Sequence, residues 1–518
     1  MNADDLIEKY SLSFSPLAGD APVLVAQVDA QDWLRVAQAV RSEKGLLVAL
    51  WGHNPVSDRY IVSASYCIED KLLWLRLPVS GQAGYPDLSG IFHSATRMQR
   101  ALSDLLGVHA VDAGDSRPWP SQGRWPTDYF PLRQKFTGLE QLDAVPEAYP
   151  FVKVQGDGIH EIAVGPIHAG IIEPGHFRFS IVGEKVVRLE ELLGYTHKGV
   201  EKRFAQLDVL DGYRLAGRIS GDSTVAYSWA YCMAVESTMP CRIPPRAQWL
   251  RALMLERERV ASHMGDLGAI ANDGGFAFGL SQFMLLREDW LRLNARLFGH
   301  RLMMDRIVPG GVKIDVDEEG IDLILAQCRR IEAEVTTLRS IYDDHAGLQD
   351  RFVSTGYMQP ALAAELGVYG LAGRASDQRW DARVLHVSPD SAYARLNVRM
   401  ALHQVGDVAA RVFVRFEEVF ESIRLLREIV SRLPTGEVAM ALEPRQGPSM
   451  GAGWVEGWRG PIFAALEYDG DGKIVSCHCH DPSWQNWPAL EHAILGNIVP
   501  DFPLINKSFN LSYSGQDL

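Results

Sequence analysis

Two short stretches, far apart in the chain, have the spacing of metal-binding motifs without their cysteines. Ser220 and Ser223 stand three positions apart, as in a Cys-x-x-Cys pair, and Ser483 and Asn486 repeat that spacing near the other end. Thiolates are soft ligands that bridge transition metals, whereas a serine hydroxyl is hard and an amide offers only a neutral carbonyl. We therefore expect no metal here. An alternative for the first pair is a polar turn that precedes a helix.

A third candidate motif is Cys477-His-Cys-His480. In a strand, the period of two places Cys477 and Cys479 on one face and His478 and His480 on the other. These four side chains cannot converge on one tetrahedral zinc ion without a turn. We expect the run to pack within a strand, and we expect the other four cysteines to be ordinary core residues.

Composition limits the classes of function. The 518 residues have 47% hydrophobic and 22% charged residues, values of a globular protein. A net charge of −14 argues against a nucleic-acid partner, which needs a basic surface. Six cysteines do not make a disulfide framework, the N-terminus lacks the pattern of a signal peptide, and no apolar run approaches the ~18 residues of a membrane span. We expect a cytoplasmic protein that meets a membrane only through partners.

Residues 1–150 are predicted to form a small α/β domain. Strand-like runs occur at 45–51, 60–66 and 71–77, and a helix is predicted from Ile91 to Leu106, where Gly107 ends it. A proline-rich segment follows, with Pro118, Pro120, Pro126, Pro131, Pro146 and Pro150. Because proline disfavours both helices and central strands, this segment is interpreted as an extended connector to the next domain.

Residues 151–518 are predicted to form a larger domain with a core of long helices. After strand-like runs between 152 and 193, apolar residues at helical spacing predict one helix that begins after Pro244-Pro245 and another from about Asn397 to Leu433. A third helix is predicted over 319–345. Helices of this length bury an apolar stripe only in a bundle. The predicted class is α+β, with small flanking sheets.

Three long motifs carry a family resemblance: GPIHAGIIEPGHFRF at 165–179, GYTHKGVEK at 194–202 and RALMLERERVASH at 251–263. They resemble the large subunit of energy-converting nickel–iron hydrogenases of the formate hydrogenlyase and hydrogenase-4 type. They also resemble the homologous 49-kDa subunit (the D subunit) of respiratory complex I. The first domain, with YFPLRQKF at 129–136, resembles the 30-kDa subunit (the C subunit). The resemblance covers nearly the whole chain as a fused C/D subunit.

The departures from the hydrogenase pattern concern the metal. In those hydrogenases four cysteines hold nickel and iron, and this chain has no cysteine at any of the four corresponding positions. The hydrogenase precursors end soon after the second motif, at a tail that is cleaved once nickel is loaded. Here the chain continues to Leu518, as the uncleaved complex I subunit does. We do not expect an active nickel–iron hydrogenase.

The resemblance assigns roles to two charged residues. Glu173 matches the glutamate that passes protons beside the metal in hydrogenases, and its alternative is a surface glutamate before a turn. Arg459 matches the arginine that overhangs the active site, where a guanidinium can hold a polar head group or an anion. Its alternative is a structural ion pair with Glu456 or Asp222. Asp222, between the lost cysteine positions, could pair with Arg459 or accept a proton in a buried site.

His168 and His176 lie in the loop that resembles the quinone-binding loop of complex I. A histidine there can donate a hydrogen bond and a proton to a quinone carbonyl. The alternative is that either histidine bonds only to the backbone of its loop. Complex I has a tyrosine shortly before the position of Arg218, where this chain has Leu215, and Tyr213 is out of register. This departure puts a complete quinone site in doubt.

The resemblance implies a subunit of a membrane-associated complex, on the inner face of the plasma membrane. It would receive electrons from a 4Fe-4S cluster in a small subunit like the B subunit of complex I and pass them to a quinone or similar acceptor. Other implied partners are a ferredoxin-like subunit and antiporter-type membrane subunits. No cofactor is expected in this chain itself. The alternatives are a non-catalytic subunit of an ion- or bicarbonate-transporting complex, and a residual hydrogenase.

Overall fold

A computed structural model describes residues 13–518 except 57, 70, 81–82, 143–147, 169–171, 206 and 386–387. The predictions for the first ten residues and for Pro146 lie outside the described residues. The fold combines helices with several small sheets, so the predicted α+β class is confirmed.

The first part of the chain folds around a five-stranded sheet with the strand order β1-β2-β5-β4-β3. Strands β2 and β5 are parallel, and the other neighbours are antiparallel. The strands are β1 (Ser15–Pro16), β2 (Val23–Gln27), β3 (Leu46–Val56), β4 (Arg59–Ile68) and β5 (Lys71–Ser80), and two short strands, β6 (Tyr85–Pro86) and β7 (Ala110–Val111), pair beside the sheet. The three predicted strands are therefore present and longer than predicted.

Two helices accompany this sheet, α1 (Ala30–Ser42) and α2 (Ala95–Leu106). Asp29 caps α1, because its carboxylate accepts from the backbone N–H groups of the first turn. Helix α2 ends where predicted, at Gly107 with φ +72, but it begins four residues later than predicted. The described residues between Val111 and Ile159 contain no helix or strand. The domain boundary near 150 falls in this stretch and stays a prediction.

Three antiparallel strands open the second part, β8 (Ile159–Val164), β9 (His176–Val182) and β10 (Lys185–Leu192). The helices that follow are α3 (Val200–Phe204), α4 (Tyr213–Ala216), α5 (Thr224–Glu236), α6 (Pro245–Asp273), α7 (Ala277–Phe298), α8 (Glu318–Asp344), α9 (Ala346–Phe352), α10 (Pro360–Leu366), α11 (Gly370–Arg374), α12 (Ala382–Leu385) and α13 (Val408–Ser431). Between α7 and α8 the chain forms a small hairpin, β11 (Ile307–Val308) with β12 (Gly311–Val312).

The two long helices α6 and α13 pack against each other in the core. Helix α6 begins at Pro245, one residue before the predicted start, and most of its residues are buried, including charged ones. The predicted start of α13 at Asn397 is wrong. Gly406 has φ +82, outside the right-handed helical region, and the Asp407 carboxylate accepts from the Ala410 N–H and so caps the helix at Val408.

A third antiparallel sheet, β13 (Ser449–Glu456), β14 (Pro461–Tyr468) and β15 (Ile474–His480), packs on α5. Three helices end the chain: α14 (Ser483–Ala493), α15 (Phe502–Phe509) and α16 (Tyr513–Asp517). The last of them, with the preceding turn at Ser512, is buried against the two motif regions. Ser483 and Asn486 lie on the first of these helices, close to the turn at 220–223 that precedes α5.

Candidate functional site

The first motif is a turn that leads into a buried helix. Gly221–Ser223 forms a single 3₁₀ turn, and α5 begins at the next residue. Ser220 and Ser223 are both buried. The Ser220 hydroxyl donates to Asp222 Oδ1 at 2.6 Å. The alternative of a polar turn before a helix therefore describes this segment.

The second motif begins α14 directly after strand β15. The Ser483 hydroxyl oxygen accepts from the Ser512 N–H at 2.9 Å, and the Asn486 side chain bonds the backbone of Tyr369 in both directions, at 3.3 and 3.1 Å. The Ser512 hydroxyl lies 3.3 Å from that of Ser220. Ser512 thus bridges the two motifs, and three serines close the space between them.

The donors present do not fit a nickel–iron centre. The Ser220 proton is donated to a carboxylate, the Ser483 oxygen accepts from the backbone, and the Asn486 amide is used at both ends. None of the four positions offers a soft, anionic atom that could bridge two metals. Freeing these groups would break hydrogen bonds that are buried. We derive no chemistry through a metal at this place.

Arg459 and Asp222 form an ion pair that closes the site. Both guanidinium nitrogens reach the carboxylate, at 3.0 and 2.7 Å, while Nε donates to the Asn510 carbonyl at 2.6 Å. The guanidinium carbon lies 3.9 Å from the centre of the Trp458 ring. The net effect on Asp222 is a lowered pKa. Burial by itself would raise this pKa, but the Arg459 charge and the hydrogen bonds from Arg459 and Ser220 have the larger, opposite effect.

Glu456, the other partner considered for Arg459, pairs instead with Arg374 at 2.8 Å. Burial and the nearby Asp381 raise the pKa of Glu456 to about 7, against the opposing charge of Arg374. Arg374 also binds Glu418, which accepts from His263 Nε2 at 2.7 Å. A chain of buried charges therefore joins α11, β13, α6 and α13 behind the site.

The loop before β9 holds both predicted histidines close to the backbone. His168 Nε2 lies 2.8 Å from the Gly175 carbonyl, and His176 Nδ1 lies 3.3 Å from the Gly165 carbonyl. Each histidine thus has the backbone partner of the alternative interpretation. His176 Nε2 is buried and has no partner among the described residues. Burial lowers the pKa of His176.

Glu173 is exposed, and its carboxylate accepts from the Ser514 N–H at 3.2 Å. Since Ser514 follows the bridging Ser512 by two positions, Glu173 lies beside the segment that joins the motifs. Its role in proton transfer stays a prediction. Tyr213, which is out of register with the complex I tyrosine, is buried and accepts from Lys313 Nζ at 2.8 Å.

Two buried carboxylates beside the site were not predicted from the sequence. Asp481 accepts from the Tyr227 hydroxyl at 2.6 Å and helps to raise the pKa of Arg459. Glu258 accepts from two backbone N–H groups at the start of α5, and burial raises its pKa well above the usual range. Asp481 stands two positions before Ser483, and this closeness to the second motif could have indicated Asp481 as a candidate site residue. Glu258 gave no such signal.

The Cys477-His-Cys-His480 run lies in β15, as predicted. The two sulfur atoms are 4.0 Å apart on one face, while His478 Nδ1 contacts Glu201 at 2.8 Å. His480 Nε2 lies 3.0 Å from Gln485 Oε1. Within the described part of the chain, no group of three or more His, Cys, Asp or Glu side chains is arranged to hold a metal ion.

The long buried helices, the flanking sheets and the facing motifs define a large subunit of the hydrogenase and complex I type. The model of the respiratory-chain NADH dehydrogenase 30 Kd subunit matches residues 26–141, and that of the 49 Kd subunit matches residues 273–450. Among the described helices, none combines the length and hydropathy needed to cross a bilayer.

Curated relatives extend these matches. Formate hydrogenlyase subunit 5 of Escherichia coli (strain K12) is 29% identical over 86% of this chain and 79% of the relative. The carbon monoxide-induced hydrogenase of Rhodospirillum rubrum is 31% identical over 68% and 97%. The C/D subunit of the NADH-quinone oxidoreductase of Phocaeicola vulgatus is 24% identical over 81% and 84%. The chain therefore belongs to the family of complex I 49-kDa subunits and hydrogenase large subunits, with a 30-kDa-type domain fused before it.

A solved structure shares the fold. It is that of the membrane-bound sulfane sulfur reductase, an archaeal respiratory membrane complex, with a TM-score of 0.65. The sequence identity is 23%, and the match covers 70% of this chain and 99% of that chain. At this identity the likeness concerns the fold alone.

Proposed function

We propose that this chain is a metal-free C/D-type subunit of a membrane-associated, complex I-like or hydrogenase-related oxidoreductase. Electrons would arrive from a 4Fe-4S cluster in a partner small subunit and reduce a quinone or similar organic acceptor. Membrane subunits of the antiporter type would couple this reaction to ion translocation, and a ferredoxin-like subunit would supply the electrons. The assembly would hold this chain at the inner face of the plasma membrane.

One observation carries the proposal. In a chain of this family, all four positions of the metal-binding motifs hold hydroxyl or amide side chains, and the described contacts use them in hydrogen bonds. Electron transfer at this subunit therefore requires an acceptor that does not depend on thiolate ligands. A quinone meets this condition, because its carbonyl oxygens need only hydrogen-bond donors and protons.

The acceptor would bind at the surface formed by the described parts of the segment before β9, residues 165–168 and 172–176, together with a partner subunit. Glu173 is exposed there, and His168 is half-buried. A carboxyl group and an imidazolium at one surface can supply the two protons that reduction of a quinone to a hydroquinone requires, and solvent then returns a proton to each. Ser512 and the ion pair of Arg459 with Asp222 fill the space between the two motifs. The acceptor would therefore bind on the outer side of this segment, beside Glu173, and not between the motifs.

The closed motif region also favours a second candidate function. A site filled by its own side chains is expected if the fold is kept for its interfaces alone. The chain would then be a non-catalytic coupling subunit of an ion- or bicarbonate-transporting complex. The buried ion pair between Arg459 and Asp222 would in that case be structural.

The two functions are separated by activity of the natively purified assembly. Reduced viologen would serve as the electron donor and a short-chain quinone as the acceptor. We expect Glu173→Gln to slow quinone reduction by at least about tenfold, because a positioned acid contributes that much or more. The matched control is Glu184→Gln, which removes an exposed carboxylate from the β9–β10 turn. If Glu173→Gln and Arg459→Lys both leave the rate unchanged, the coupling subunit is the correct function.

A further inference from the structure

A cavity with two lobes lies between residues 19–20 and the helices α5, α6 and α12. The inner lobe has a volume of about 50 Å³, and the outer lobe has a volume of about 320 Å³. The two lobes adjoin, because both are lined by Asp20, Met233, Gln248 and Ser388. We refer to the two lobes together as the α5–α6 cavity. Neither of the two motifs contributes a residue to it.

Three aromatic residues line the inner lobe, Trp229 of α5, Trp454 of β13 and Tyr393. They are 5%, 7% and 8% exposed, so each keeps a small accessible surface. The rings of Trp229 and Tyr393 are stacked, with centroids 6.3 Å apart and planes at 21°. The face of an aromatic ring carries partial negative charge and attracts cations. The lining of the inner lobe therefore favours a cationic group over an anion.

The charged residues on the cavity leave one carboxylate without a counter-charge. All but one of them are paired, at 2.6–2.8 Å: Arg383 with Asp381, Arg242 with Asp390, Glu236 with Arg251, and Glu456 with Arg374. Within the described part of the chain, Asp20 has no cationic side chain in ion-pair contact. Its two carboxylate oxygens accept only from Gln248 Nε2 at 2.7 Å and from the Ser388 hydroxyl at 3.1 Å. A carboxylate can accept about four hydrogen bonds, so Asp20 retains acceptor sites for a ligand.

Gln248 provides a second acceptor beside Asp20. Because a carboxylate only accepts, the bond to Asp20 identifies the amide nitrogen and leaves Oε1 as the other end of the side chain. Oε1 accepts no hydrogen bond from any described residue, and it is not sealed from the cavity. Gln248 as a whole is only 3% exposed. Since buried acceptors nearly always have a donor, this oxygen indicates a donor group inside the cavity.

We propose that the α5–α6 cavity binds a primary ammonium group on an alkyl chain. An ammonium has three N–H donors and no acceptor, which matches the Asp20 carboxylate, Gln248 Oε1 and an aromatic face. A water-sized group needs roughly 10–15 Å³ of such space, so the inner lobe has room for about three to five non-hydrogen atoms. The rest of the alkyl chain would lie in the outer lobe. The site does not depend on the proposed function, because it requires no reaction at the motifs.

The ammonium is tested by a saturation-transfer NMR titration of the full chain. The probe is n-butylammonium, and n-butanol is its neutral match. We expect butanol to bind at least about tenfold more weakly, because it cannot form the charge-assisted bond to Asp20. Asp20→Asn should weaken butylammonium binding by about tenfold or more. The control Asp322→Asn, an exposed aspartate of α8, should bind like the unmodified protein. Equal binding of the two probes, or unchanged binding in Asp20→Asn, would overturn the proposal.

The same titration of the natively purified assembly identifies the source of the ammonium. If the chain and the assembly both bind butylammonium, the site takes a free alkylamine. If only the chain binds it, a lysine of a partner subunit fills the cavity, and carbodiimide treatment of the assembly should join that lysine to Asp20. Both results support the proposal, whereas binding to neither would contradict it.

A second measurement keeps the proposal testable if the variants fail to fold. A crystal structure of the unmodified protein soaked with n-butylammonium should show the probe in the α5–α6 cavity. Its nitrogen should lie within about 2.7–3.2 Å of an Asp20 carboxylate oxygen and of Gln248 Oε1. A cavity without the probe, or a probe with its nitrogen directed away from Asp20, would contradict the proposal.

Discussion

Arg459 and Asp222, 237 positions apart in the chain, form a two-pronged ion pair at 3.0 and 2.7 Å directly beside Ser220 and Ser223. The Asp222 carboxylate also accepts from the Ser220 hydroxyl, so the pair is joined directly to the first motif. All three guanidinium nitrogens of Arg459 donate hydrogen bonds, since Nε donates to the Asn510 carbonyl. Asp222, Arg459 and Ser220 therefore form a connected set of hydrogen bonds at this place.

Asp222→Asn should lower the free energy of unfolding by about 2 kcal/mol at pH 7. This value lies between those of exposed and buried ion pairs, because the Arg459 side chain is 7% exposed and that of Asp222 is 36% exposed. The pKa of Asp222 is lowered in the folded protein, so its contribution is present above about pH 4 and is lost as the pH falls below that value. Urea unfolding at pH 7 and pH 3 measures both effects. Equal stability of the two proteins at pH 7 would refute the prediction.

Glu456→Gln should change how stability depends on pH. The pKa of Glu456 is raised from 4.5 to about 7, so the folded protein holds a proton that the unfolded chain releases. Its contribution is present below pH 4.5 and is lost as the pH rises through about 7, a change of about 3 kcal/mol. Urea unfolding between pH 4.5 and 8 should show this loss in the unmodified protein but not in the variant. Parallel curves for the two proteins would contradict the prediction.

Ser483→Ala should destabilise the chain by about 1–2 kcal/mol, because the Ser512 N–H would lose its buried acceptor. Ser340→Ala, an exposed serine of α8, is the matched control and should change stability little. Thermal unfolding of both variants checks the difference. If Ser483→Ala were as stable as the control, the hydroxyl would not hold the terminal segment in place.

Asp407→Ala should cost about 2 kcal/mol, since the carboxylate caps α13 through the Ala410 N–H and also accepts from the Ser354 N–H, both at 2.8 Å. Asp407→Asn retains one acceptor oxygen and should cost about half as much. Urea unfolding of the two variants ranks them. The reverse order would show that the helix start depends on something other than this cap.

The regular elements could be predicted from local sequence signals. Helix α6 follows a proline pair and carries its apolar residues at helical spacing, and α2 ends at a glycine with positive φ. Apolar spacing predicted the wrong start for α13. Val405 fits the apolar pattern of the helix, but it is 45% exposed and lies before the first helical residue, Val408. There the backbone at Gly406 determined the boundary, and periodicity does not report backbone conformation.

The site was predictable only in part, because its contacts join distant segments. The sequence indicated that Asp222 and Arg459 could pair, and they do. It gave no sign that Ser512 would bridge Ser220 and Ser483, since no local pattern relates residues 292 positions apart. The roles of Glu173, His168 and His176 stay predictions, because a partner subunit would decide them.

Metal analysis of the intact, natively purified assembly tests the central claim most directly. Anomalous X-ray data at the nickel edge would locate any nickel that elemental analysis detects. The account predicts no nickel in stoichiometric amount, iron only in partner clusters, and no anomalous peak near Ser220 and Ser483. One nickel ion per chain between these two serines would contradict it.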